Sequence, residues 1–320
     1  MIVLRSGAHT AVVDPSGAGL RSYRAGDRDV LDGCTPGRPC TAARGDLLIP
    51  WPNRITGATY RFRGVEHRLP VTEPSTGAAL HGLTRTQPWE VVVREPDGVR
   101  LRHDLIARPG YPFALRCEVD YTLGAAGLRV RTSATNVGAD PAPYATGAHP
   151  YLAAGGESVD GLTVQVPASQ FCPVDGPAAR APVAGTPFDL RAPTLLGNRR
   201  LDHTWTALRR DADGRARVRV GHPDGGSVVL WLDGAYGYLQ VFTGDTVPEP
   251  ERRRRGLAVE PMTAAPDAFR TGDGLHVLGP GETHVGEWGI SPGSPAAPAT
   301  ATGGATSTSS STRSAGSARG

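Results

Sequence analysis

In LRCEVDYTL, residues 115 to 123, the apolar side chains Leu115, Cys117, Val119, Tyr121 and Leu123 alternate with Arg116, Glu118 and Asp120. Successive side chains of a β-strand point to opposite faces, whereas the apolar residues of an amphipathic helix recur every three or four positions. The stretch is therefore a half-buried strand. The same period runs through GLRVRTSA (Leu128, Val130), RARVRVGH (Val218, Val220) and SVVLWLDG. Gly, Pro, Asn and Asp clusters divide these runs at short intervals, and no segment of ten or more residues keeps a helical period. A mostly antiparallel, all-β protein is the expectation.

The strand pattern continues without a shift in composition to about residue 290, which predicts one domain over residues 1–290. With 39% hydrophobic residues, a chain of this length can bury a sizeable core. After Ile290 the sequence becomes SPGSPAAPATATGGATSTSSSTRSAGSARG, almost without large apolar side chains, so residues 291–320 are expected to be a disordered tail. Residues 172–200 are rich in Pro and Gly and predict a long loop over the sheet, and GDGLHVLGPG reads as a hairpin region. The N-terminus offers too short an apolar stretch for a signal segment, and nothing resembles a membrane-spanning run. A cytoplasmic protein without membrane contact is the expectation.

The formal charge of +3 comes from arginine alone, because the chain contains no lysine. That excludes Schiff-base, pyridoxal-phosphate and P-loop lysines. The basic run Arg252–Arg255 lies between acidic PEPE and an apolar strand, without aromatic interleaving, and reads as a solvated loop. No nucleic-acid partner is expected. The four cysteines show no metal-ligand spacing and read as reduced thiols, although Cys34 and Cys40 bracket a Pro/Gly loop short enough to close as a disulfide. Zinc-hydrolase, serine-hydrolase and dinucleotide motifs are absent.

Among the polar residues, Glu260 in GLAVEPM stands out. Alternation places Leu257 and Val259 on one face and Ala258 and Glu260 on the other, and Pro261 is expected to stop the ladder beside it. An ionised carboxylate drawn toward an apolar interior is costly unless something pairs with it or uses it. His149, in TGAHPYL, is biased toward an extended backbone by Pro150. His81 precedes Gly82, where a backbone can approach closely. Asn53 and Arg54 in PWPNRITG supply fixed donors of the kind that hold hydroxyl-rich ligands. Gln240 shares a strand face with Phe242 in YLQVFTGD, a combination suited to a sugar, and Asp202 in RRLDHTW fits either a turn or a ligand contact. Each residue alone also has an ordinary structural reading.

The ordered blocks PWPNRITGATYRFRGVEHRLP, ALHGLTRTQPWEV, TGAHPYL, RRLDHTW, YLQVFTGD and GLAVEPMTAAPDAF together resemble the aldose 1-epimerases, or mutarotases, from about residue 10 to 290. The resemblance is greatest to a bacterial subgroup. It implies a galactose mutarotase-like supersandwich of antiparallel sheets, no metal or cofactor, and a free sugar as substrate, with a monomer or homodimer as the assembly. It further implies His149 as general acid, Glu260 as general base, and Asn53, Arg54, His81, Asp202 and Gln240 as substrate-binding residues. The charge of Glu260 is expected to help keep His149 protonated near neutral pH. Thr86, Gln87 and Leu152 depart from the subgroup pattern and are expected at the pocket rim, where they bear on which sugar is taken. Glucose and galactose are the family defaults, and the subgroup also includes relatives associated with modified sugars such as sulfoquinovose. A non-catalytic carbohydrate-binding sandwich is the alternative. A glycosidase fits less well, because that chemistry ordinarily needs two carboxylates flanking the bond.

Overall fold

The computed structural model describes residues 1–35, 40–153, 155–156, 158–173 and 179–293. Its regular structure is almost entirely antiparallel sheet. Leu115–Gly124 is a strand whose buried residues are the five that alternation selects, from Leu115 to Leu123. It pairs with Gly98–Leu105 on one side and Gly127–Asn136 on the other. These strands lie in a nine-stranded sheet, which Thr283–Gly293 joins to Ser227–Leu232 and Ala216–Gly221. Its inner face enters a large core that includes Leu101, Val119, Val130, Val218, Leu230 and Trp288.

A second sheet of eight strands carries the polar residues of interest. Its central order runs Ala168–Cys172, Asp202–Leu208, Tyr238–Phe242, Gly256–Met262, Gly147–Ala148 and Leu47–Leu48. Leu257 and Val259 of the Gly256–Met262 strand enter the main core, while Ala258 packs with Tyr151 and Val247 in a separate cluster. The two faces thus separate as alternation requires, although all seven residues of the strand are buried.

Several expectations need correction. Pro261 does not end the ladder, because it pairs opposite Leu239 and the strand continues to Met262. Ser291, Pro292 and Gly293, expected in the tail, instead pair with Val229, Val228 and Ser227, and the rest of that stretch lies outside the described residues. His276–Leu278 is not half of a hairpin with Thr283–Gly293, since the two segments pair with different strands. Within the 172–200 segment, Ala181–Pro182 and Thr194–Leu195 add short strands to the edges of the two large sheets. Cys34 and Cys40 form a disulfide, contrary to the thiol reading, whereas Cys117 and Cys172 are free and buried. The arginine run is anchored: Arg252 pairs with Asp32, and Arg254 with Asp160 and Asp245. Among the described residues, no helix is long and apolar enough to cross a membrane.

Candidate active site

The register of one strand brings the two central residues together. Gly147 lies opposite Met262, and Tyr151 lies opposite Ala258. His149, midway between Gly147 and Tyr151, consequently faces Glu260. Pro150 interrupts the neighbouring strand here, leaving Gly147–Ala148 and Tyr151–Ala153 as two short pieces. On its other side Glu260 pairs with Gln240, and Gln240 with Thr204. Four side-chain positions therefore form a row across the sheet, with His149 Nε2 lying 3.4 Å from Glu260 Oε1.

The row opens onto a cavity of about 460 Å³, lined by all seven residues singled out in the sequence: Asn53, Arg54, His81, His149, Asp202, Gln240 and Glu260. Gln240 is held at both ends of its amide: Thr204 Oγ1 donates to Oε1, while Nε2 donates to Asp202 Oδ1 at 2.6 Å. His81 and Asn53 brace each other. The Asn53 N–H donates to His81 Nδ1 at 3.2 Å, and the His81 N–H donates to the Asn53 carbonyl at 2.9 Å. Both residues have positive φ, which Asn tolerates better than most, and Gly82 follows at φ 75°. A Cβ on Gly82 would lie 2.1 Å from the Ile49 carbonyl oxygen, so the close approach anticipated there is to backbone.

Arg54 is committed more fully than the sequence suggests. Its Nε and Nη2 donate to both oxygens of Glu73, at 2.6 and 2.8 Å. This bidentate arrangement holds Glu73 below the usual carboxylate range and leaves Nη1 as the guanidinium nitrogen outside the pair.

Burial dominates the proton balance of the central pair. Glu260 is 2% exposed, and burial together with the nearby Asp202 carboxylate pushes its pKa well above the ordinary range, against a smaller opposing pull from Arg54. His149 is pushed down to about 3 by burial and by Arg85. This corrects the expectation that Glu260 keeps His149 protonated: drawing the charged forms out of water outweighs their mutual attraction. His81 is also driven well down, by burial and by His149. Glu260 Oε2 and His149 Nδ1 are buried without a hydrogen-bond partner within the protein. Buried polar atoms are ordinarily satisfied, so two orphans beside a cavity are sites where a ligand's hydroxyls can bond.

A family model described as aldose 1-epimerase matches residues 1–291. The chain belongs to the aldose 1-epimerase family. Its relatives include the uncharacterized protein YihR of Escherichia coli K12, 34% identical over 288 residues that span 88% of this chain and 90% of YihR. The galactose mutarotase of Sus scrofa is 29% identical over 212 residues, 60% of each chain. Among solved structures, the GalM/aldose epimerase homologue from C. elegans superposes with a TM-score of 0.79 at 20% identity, covering 91% of this chain and 98% of its own. The galactose 1-epimerase from Lactobacillus acidophilus NCFM gives 0.76 at 18% identity, covering 91% and 94%. These structural matches establish the galactose mutarotase-like fold.

Other residues of this aldose 1-epimerase family member reach the cavity without having been singled out as site residues. Glu73, Arg85, Tyr151 and Val247 line it, and Phe242 lies beside Gln240 as strand alternation predicts. Glu73 and Arg85 sit in irregular segments, where no period marks which way a side chain points. Of the positions that depart from the subgroup pattern, Thr86 lines the cavity, but Leu152 is wholly buried in the main core and does not reach the rim.

Proposed function

We propose that this family member interconverts the α and β anomers of a free hexose by acid–base ring opening. The observation that carries this reading is the opposition of His149 and Glu260 across one register position, 3.4 Å apart and both lining the cavity. Mutarotation requires a proton to leave the O1 hydroxyl while another reaches the ring oxygen. The C1–O5 bond then opens to an aldehyde, and rotation about C1–C2 followed by reclosure gives the other anomer. In this scheme Glu260 takes the O1 proton and His149 protonates the ring oxygen, with each transfer supplying roughly 10²–10⁴-fold.

The resting pair stands one transfer away from that arrangement. Burial favours a carboxylic acid on Glu260 and a neutral imidazole on His149, so the pair's single proton rests on the carboxyl. Moving it to His149 creates carboxylate and imidazolium without changing the net charge. Sugar hydroxyls donating to Glu260 would favour that form. Asp202, Gln240, Asn53, His81 and the free edge of Arg54 would hold the remaining hydroxyls and the ring-oxygen side, because accurate placement makes weak acids and bases effective. The residues support glucose, galactose or a modified hexose as the substrate class.

The test is anomer exchange measured by NMR or polarimetry on freshly dissolved α-glucose, α-galactose and an acidic hexose. Acceleration of at least one sugar is expected, with His149→Asn reducing it by about 10²-fold or more. No acceleration of any of them by the wild type, or an unchanged rate in His149→Asn, would overturn the reading.

A further inference from the structure

His149 and Tyr151 are two residues apart, which puts their side chains on the same face of the extended segment. Their rings stack, with centroids 4.9 Å apart and planes 11° from parallel. The Arg44 guanidinium lies over the Tyr151 ring, 4.2 Å from its centroid. Arg44 is itself fixed: Nε donates to the Asp32 carbonyl at 2.9 Å and Nη2 to Asp32 Oδ2 at 3.0 Å. Arg252 holds the other oxygen of Asp32. The Tyr151 hydroxyl donates to the Ala42 carbonyl at 3.1 Å, and His81 meets the His149 ring edge-on, with centroids 5.4 Å apart.

A neutral imidazole whose Nδ1 meets no group beyond its own backbone has no outside hydrogen bond at that atom to set its rotation about χ2. Flat contact with a fixed ring supplies that restraint. We propose that Tyr151, backed by Arg44, is a positioning residue for the anomeric proton transfers: the Arg44–Tyr151–His149 stack fixes the plane of the imidazole so that Nε2 stays aimed at Glu260 and the substrate. The proposal rests on the epimerase reading above.

The stack also has an electrostatic consequence. An aromatic face attracts a cation, so an isolated tyrosine ring would favour imidazolium at His149. Here Arg44 already lies over the same ring and opposes a second cation on it. The charged and titratable groups around His149 are Glu260 on the facing strand, His81 and Arg85 on the neighbouring segment, and Arg44 and Asp46 on the loop behind it. Arg85 and Arg44 both oppose its protonation.

The experiment measures kcat, KM and the pH dependence of kcat by NMR exchange on whichever anomer pair the wild type accelerates. Tyr151→Phe keeps the ring and should stay within about threefold of wild type, whereas Tyr151→Leu should lose about 10–100-fold in kcat with little change in KM. Arg44→Gln removes the cation while leaving the ring, and should raise the acid limb of the kcat profile by about one pH unit. It provides an independent readout if Tyr151→Leu does not fold. Wild-type kcat in Tyr151→Leu, a loss confined to KM, or an unmoved acid limb in Arg44→Gln would overturn the proposal. Failure of the epimerase reading itself would instead appear as an inactive wild type.

Discussion

The two large sheets place carboxylates on their strands with the same alternating sequence pattern and opposite physical outcomes. On the outer face of the nine-stranded sheet, register sets Arg100 opposite Asp120, Arg102 opposite Glu118 and Asp104 opposite Arg116. All three pairs close as ion pairs in contact with solvent. The Arg116 hydrogen bonds hold Asp104 below the ordinary carboxylate range. In the eight-stranded sheet Glu260 is likewise opposed in register, but its neighbours are Gln240 and His149, and all three residues are buried. No arginine compensates it directly, and its pKa moves the other way. Opposed charge with water nearby produces an inert ladder. Opposed acid and base drawn into the interior produce two groups held away from their usual protonation states, as proton-transfer sites require.

The largest break in this contrast should come from Glu260→Gln. Removal of the proposed base is expected to cost roughly 10²–10⁴-fold in anomer exchange. The same substitution should stabilise the fold by about 1 kcal/mol or more at pH 7, because a neutral amide replaces a buried group that water would otherwise ionise. Calorimetry alongside NMR exchange checks both effects. A variant that is inactive and also less stable would show that the buried Glu260 carboxyl stabilises the fold and is not a liability.

A smaller effect concerns pH and has a definite sign. The folded chain resists protonating His149, whose pKa falls from 6.5 to about 3, so that group makes the fold less stable as pH falls through the interval between those values. Glu260 has a raised folded pKa, so it makes the fold less stable as pH rises above its unfolded value of about 4.5 toward its folded one. Between about pH 4.5 and 6.5 the two contributions oppose each other, and the pair is nearly silent in wild type. Single variants should expose them. Glu260→Gln should lose stability on acidification over that window, while His149→Asn should gain it, each by up to about 1.4 kcal/mol per pH unit relative to the wild-type slope. Denaturant melts at pH 5 and 6.5 measure both slopes, and two variants changing with the same sign would contradict the assignment.

Strand identity was legible wherever one face is wet, as in Leu115–Gly124, because charge then marks the alternate positions. The Gly256–Met262 strand was harder, since both faces are buried and only Glu260 breaks the apolar run. The seven site residues line one cavity, and they were legible as a set through the family resemblance, since each alone also has an ordinary structural reading. Their pairing was not legible: the register that opposes His149 to Glu260 passes through Pro150, and long-range pairing leaves no local signature. Proton states were misread for a related reason. The attraction between two charges depends on types that the sequence displays, whereas desolvation depends on everything packed around them. Tyr151 escaped notice because a tyrosine beside an apolar run looks like core. Its proposed role depends on Arg44, over a hundred residues away, lying over its ring.

The smallest expected effect completes the contrast from the surface side. Arg116→Ala removes the partner of Asp104 where the two side chains are 46% and 50% exposed, and water can replace what is lost. Exposed pairs of this kind contribute little, so the change in stability should be slight and should shrink further in high salt. Anomer exchange should remain at the wild-type rate, because Arg116 lies outside the cavity lining. Chemical denaturation at low and high salt distinguishes this from a structural role. A large, salt-independent loss would mean that the outer ladder holds the sheet together and that its carboxylates are not inert.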